Sequence, residues 1–159
     1  MKYALIDNDG ELHIKEGSYQ EARAEVGSEG WDQVRLARTE GYAAWAGWVN
    51  GDGHRLGLPR NIVGGLVLTG MGAAIMPYAG PIVLTGWNPH GMPNEVCGLD
   101  DLQADVIREI HDDARRALAG EHGLGFPGAR AIAEEMRTAP TPTITIRTIN
   151  VGDFLGGKS

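Results

Sequence analysis

The chain has one cysteine, Cys97, so it can form no intramolecular disulfide, and that fits a reducing compartment. It also lacks an apolar run of the about 20 residues that a membrane span needs. The longest candidate, Ile62 to Met76, contains four glycines and stops at Pro77. At the N-terminus, Met1-Lys2-Tyr3-Ala4-Leu5-Ile6-Asp7 reaches an acid too early for the apolar region of a signal peptide. Bases are scarce: 14 against 21 acids, a net charge of −7, with no basic cluster larger than Arg115-Arg116. Nucleic-acid binding draws its affinity from Lys and Arg neutralising phosphates, so neither DNA nor RNA is an expected partner. The expectation is a cytoplasmic protein without nucleic-acid or membrane partners.

Charge is missing altogether between Arg60 and Glu95, over 34 positions in a chain that is 22% charged. A neutral window of that size belongs in a core or a pocket wall, because removing apolar surface from water is the main force behind folding, at roughly 25 cal/mol per Å². At 159 residues the chain has the length of one domain. No linker divides it, and residues 1–151 read as that domain, with 152–159 as a tail.

Local signals order the elements. Lys2–Asp7 and Glu11–Lys15 are short alternating runs around Asn8-Asp9-Gly10, the signature of a β-hairpin. Ser18, with Glu21 three residues on, predicts a capping box for a helix through Val26 that Gly27 ends. Trp31–Ala37 and Tyr42–Val49 read as strands, Asn50-Gly51-Asp52-Gly53 as a turn, and His54–Leu58 as a further short strand. Length favours a helix over Ile62–Met76 despite its glycines, which would let it pack closely on the sheet. Gly80–Trp87 is a buried strand and Trp87–Gly98 a loop of turn formers. Asp100 and Gln103 form a second capping box, opening a helix with the stripe Leu102, Val106, Ile110, Ala114 and Leu118 that Gly120 closes. A helix from Ala129 to Arg137 and a strand over Thr143–Ile149 complete the chain.

Few side chains have the spacing of known chemistry. Gly123-Leu124-Gly125-Phe126-Pro127-Gly128 has the letters of a dinucleotide loop, but no strand precedes it, so it reads as a helix–helix turn. The five histidines are scattered, without the i, i+4 pair that places two ligands on one helix face, so no metal and no cofactor is implied. Cys97, His90 and Asn94 have the residue types of a thiol enzyme, with His90 as base and Cys97 as nucleophile, but all three hang on one loop. Four tryptophans stand against two phenylalanines. Trp45 and Trp48 point to opposite faces of one strand, so one of them is an exposed interface residue unless helices cover both faces.

Asn50-Gly51-Asp52-Gly53-His54-Arg55-Leu56-Gly57-Leu58-Pro59-Arg60-Asn61, followed by Gly80-Pro81-Ile82-Val83-Leu84-Thr85-Gly86, resembles a family of small phage and plasmid proteins that carry the domain of unknown function 3846. The likeness covers about the first 88 residues, as a family-like core, and leaves 99–151 as a helical extension plus strand. It implies an α+β fold, a mobile-element origin and the host cytosol as location, and it supplies no catalytic residues. Asn50 and Asn61 match its asparagines, with turn capping as their expected role.

The expected fold is a single α+β domain: a mixed, mostly antiparallel sheet of about six strands with helices packed mainly on one face. The expected function is a non-catalytic binding protein that intercepts a host protein or a small anionic signalling molecule, with counter-defence as its expected use. Arg55, Arg60, Asn61, Trp87, Asn88 and His90 are the candidate ligand contacts, and Trp45 and Trp48 the candidate interface. The alternatives are a small enzyme using Cys97 and His90, and an assembly protein, a homo-oligomer paired through an exposed tryptophan and the edge strand Thr143–Ile149.

Overall fold

The computed structural model describes residues 1–27, 30–36, 44–88, 95–121 and 128–142. In chain order they form β1 (Lys2–Ile6), β2 (Leu12–Glu16), α1 (Tyr19–Val26), β3 (Trp31–Val34), β4 (Ala44–Asn50), α2 (Ile62–Gly70), β5 (Ile82–Asn88), β6 (Glu95–Cys97), α3 (Asp101–Leu118) and α4 (Ala129–Thr138). The expected strand Thr143–Ile149 lies outside the described residues.

The six strands make one sheet in the order β2-β1-β5-β4-β3, and every pairing among them is antiparallel. β5 is its axis. Ile82–Leu84 pair with β1 on one side, Gly86–Asn88 pair with β6 on the same side, and β4 runs along the other. Alternation along the strands sends side chains to both faces. Ala4, Ile6, Ile82 and Leu84 enter a main core with α2, α3 and α4, while Tyr3, Leu5, Val83, Ala46 and Trp48 meet Ala22 and Val26 of α1. The protein is therefore α+β, with three helices on one face of the sheet and one on the other.

The uncharged window is explained by α2 and β5. α2 lies between the sheet and α4: Gly64 sits against Ile82 and Gly65 against Met136, so a Cβ at either position would collide. Those glycines cost about 1 kcal/mol each in intrinsic helix propensity, which close packing on both sides offsets. The helix is shorter than its apolar run suggests. Gly72 (φ 92°) ends it in a Schellman motif, the Ala73 N–H donating to Leu68 O (2.9 Å) and the Gly72 N–H to Thr69 O (2.9 Å).

Both predicted capping boxes form, at Ser18/Glu21 and Asp100/Gln103, and Gly120 closes α3 with φ 86°. Three local readings need correction. His54–Leu58 is a series of turns, with Leu56 N–H donating to Asp52 O and Leu58 N–H to Gly53 O. Part of the Trp87–Gly98 loop is strand β6. The buried face of α3 is Gln103, Ala104, Ile107, His111, Ala114 and Ala117, whereas Leu102 is 71% exposed. A strict i, i+4 row drifts by about 40° per step around a helix, so the Leu102–Leu118 row starts in solvent, touches the core at Ile110 and is buried at Ala114.

The β1–β2 turn is held by Asp7. Its Oδ1 accepts from the N–H groups of Asp9 (3.0 Å) and Glu11 (2.9 Å), and its Oδ2 lies 2.8 Å from His13 Nε2. Burial works to raise this carboxyl's pKa, but His13 and the two backbone donors outweigh it, and the net effect is a pKa below the ordinary 3.8. A pKa lowered by folding gives stability that is present above the unfolded value and lost as pH falls through the folded one. Asp7→Asn should therefore reduce the fall in thermal midpoint between about pH 5 and about pH 2; an unchanged acid slope would show that the carboxylate contributes nothing.

Candidate functional site

The expected ligand contacts do not converge. Asn61 is buried beneath the sheet: its Nδ2 donates to Ile6 O (3.2 Å), Asp7 O (2.9 Å) and Gly80 O (3.1 Å), and its Oδ1 accepts from the Gly64 N–H (2.9 Å) as the N-cap of α2. Arg60 turns the other way, its Nη1 donating to the carbonyls of Met136 (2.7 Å) and Arg137 (2.9 Å) at the end of α4. Arg55 is exposed, with its Nε bonded to Asp52 Oδ1 (3.0 Å). Trp87 and Asn88 stand at the far end of β5 from Gly80, some 23 Å away at about 3.3 Å per strand residue. His90 lies outside the described residues, as does Asn94. Asn50 has the capping role its position suggested, bonding Val26 O and the Asp52 N–H.

Cys97 is half-buried on β6, opposite Gly86. The other described histidines are committed elsewhere: His54 Nε2 to Pro77 O, His111 Nε2 to Gly10 O (2.8 Å), and His13 to Asp7. Among the described residues no group of three His, Cys, Asp or Glu is placed to hold a metal ion, and no helix is long and apolar enough to cross a membrane.

The tryptophans do come together, in a set that sequence reasoning paired differently. Trp48 is not an exposed interface residue. It is 6% exposed on the α1 face, and its Nε1 donates to Thr85 Oγ1 (2.9 Å). Helices cover both faces of the sheet, so both strand neighbours find cover: Trp45 packs, partly buried, against the main core on the opposite face. Trp31 stacks on Trp48 with ring centroids 4.5 Å apart and planes 18° apart. Tyr19 meets Trp31 edge-on at 5.8 Å, and Trp87 lies 6.3 Å from Trp48 on the other side. The row crosses from α1 over β3, β4 and β5. Tyr19 and Trp87 at its ends, and Trp31 next to Tyr19, are half-buried. The N–H of Trp31 is buried and finds no acceptor among the described residues, as is also true of Trp45. The excess of tryptophan over phenylalanine was the signal for this cluster; which indoles share a face depended on strand register.

A concavity of about 510 Å³ lies between β2 and α3, lined by Glu11, Leu12, Ile14, Arg108, His111 and Asp112. No protein-family model, no curated protein and no solved structure matches this chain.

Since Asn61 ties three elements and Arg60 caps a fourth, both act as structural residues. Asn61→Ala should lower the free energy of unfolding by about 3 kcal/mol, from one lost cap and the lost hydrogen bonds to three carbonyls, and Arg60→Ala by roughly 1 kcal/mol. Urea denaturation measures both. Loss of stability below about 0.5 kcal/mol at Asn61, the range of an ordinary surface substitution, would return it to the list of ligand contacts.

Proposed function

We propose that this chain is a non-catalytic binding protein, of phage or mobile-element origin as its resemblance implies, that intercepts a host protein through the tryptophan-bearing face of its sheet. The observation that carries this reading is the half-buried pair Trp31 and Trp87 on either side of the buried Trp48. Tryptophan supplies a large rigid contact area at little entropic cost and is the residue most enriched at binding hot spots. α1 spans eight residues and fully buries only Ala22 and Val26, so this face carries less helical cover than the one opposite.

Two further observations favour a macromolecular partner over a small anion. Of the groups expected around an anion, Asn61 commits its amide and Arg60 its Nη1 to main-chain carbonyls. Arg55 and Trp87 belong to opposite ends of the sheet.

The test is affinity capture from a bacterial lysate with the wild-type chain and with Trp87→Ala and Trp31→Ala as baits, Leu102→Ala on the opposite face serving as control. A protein retained by wild type and by Leu102→Ala, and lost from both tryptophan variants, is the expected result; a hot-spot tryptophan contributes about 2 kcal/mol or more. Native mass spectrometry on the gently purified chain is the counter-test. A reproducible metabolite-sized extra mass, lost on denaturation and retained by Trp87→Ala, would overturn the reading in favour of a small-molecule sponge.

A further inference from the structure

The concavity between β2 and α3 has one apolar wall and one polar wall. Leu12 and Ile14, partly buried against the main core, form the strand side. Arg108, His111 and Asp112 form the helix side, at spacings of three and four that put them on one face of α3. His111 is 5% exposed, and a side chain that deep needs partners for its polar atoms. Its Nε2 lies 2.8 Å from Gly10 O. A carbonyl oxygen can only accept, so Nε2 carries the hydrogen, and Nδ1 of the uncharged ring is left as a lone pair. Among the described residues that lone pair meets no donor. Asp112 Oδ1, 3.7 Å away and beyond hydrogen-bond distance, is a second acceptor.

The charges around these two acceptors select the ligand. Arg108 is bonded to Asp105 (2.6 Å), and Glu11 at the rim is bonded to Arg115. Asp101 faces Lys2, and Asp113 faces Arg116. Asp112 instead has the imidazole beside it. We propose that this cleft binds a small primary alkylamine as its ammonium ion, with N–H groups donating to His111 Nδ1 and Asp112 Oδ1 and the alkyl chain lying along Leu12 and Ile14. An ammonium carries three donors on one compact centre and can meet both acceptors together. An alcohol has one donor and leaves an acceptor and the carboxylate charge unmet, and an anion meets only lone pairs. A volume of about 510 Å³ suits a small molecule. The cleft and the tryptophan row belong to opposite faces of the sheet, so the inference stands independently of the host-protein reading. A ligand of so few atoms binds in the millimolar range. It therefore leaves during purification and does not supply the retained mass that would overturn that reading.

The test is an NMR titration of the full, ¹⁵N-labelled chain with n-pentylammonium chloride at constant pH and ionic strength. Amide shifts should centre on β2 and the facing turns of α3 and should saturate with a Kd of about 1 mM. In the same titration the Nδ1 resonance of His111 should move while Nε2, held by Gly10 O, stays in place. Asp112→Asn changes a side chain that is 75% exposed, so the fold should survive. It should weaken binding about fivefold, the discounted loss of one exposed charge-assisted bond. Asp113→Asn, which removes the carboxylate facing Arg116, should leave the Kd within about twofold. Pentan-1-ol, of equal length but without the charge, should bind about tenfold more weakly than the amine. A titration without saturable shifts at the cleft overturns the proposal. So does binding that Asp112→Asn leaves unchanged, an alcohol that binds as well as the amine, or saturation without movement of His111 Nδ1.

Discussion

One buried amide holds the frame. Asn61 is 2% exposed, and its side chain reaches the end of β1, the approach to β5 and the first turn of α2 together. Burying an amide is costly unless its hydrogen bonds are made. Here the amide donates to the carbonyls of Ile6, Asp7 and Gly80 and accepts from the Gly64 N–H, so its own polar atoms are satisfied. Because β1 and β5 carry core side chains on both faces, their relative placement at Asn61 fixes the position of the main core and of the α1 face together. Arg60 extends the same junction outward to the last carbonyls of α4, the negative end of that helix dipole.

From this junction follows the burial of the neutral window. α2 is apolar all round because it touches the sheet below and α4 above, and β5 is apolar on consecutive positions because helices cover both of its faces. Fully burying a leucine, isoleucine or valine side chain contributes roughly 1.5–3 kcal/mol, and Leu66, Val67, Leu68, Ile82, Val83 and Leu84 are all within 1% of complete burial. Charged residues lie outside this segment, where they form mostly exposed pairs such as Arg108–Asp105 and Arg137–Glu134. Pairs of that kind add little to stability.

Elements governed by neighbours in sequence were legible. The two capping boxes, the β1–β2 turn and the glycine that stops α3 are each set within four or five residues, so residue type and spacing suffice to read them. What failed had a longer range. The apolar run after Ile62 continues past the helix because Met71 and Ala73 stay buried beyond its end, and burial without helix gives the same sequence signal as burial within it. β6 has three residues, too few for alternation to show. For the candidate site, the surplus of tryptophan flagged aromatic contact surface, and Trp87 was among the expected contacts. Trp45 and Trp48 were the pair considered for an interface, whereas Trp31 belongs to the row through a strand pairing that sequence spacing does not reveal.

The sequence by itself determined the class of the protein, α+β with a neutral core segment, and the local start and stop of its helices, because hydrophobic patterning and capping act over a single turn or strand. Only the tertiary structure decided which residues became structural and which stayed available. Asn61 and Arg60 look like ligand contacts until the carbonyls they bond are brought to them from residues 6, 7, 80, 136 and 137. The tryptophans look alike until the order of strands puts α1 over one face and three helices over the other. Both outcomes depend on contacts between positions far apart in the chain, whose geometry is set when the sheet closes around β5.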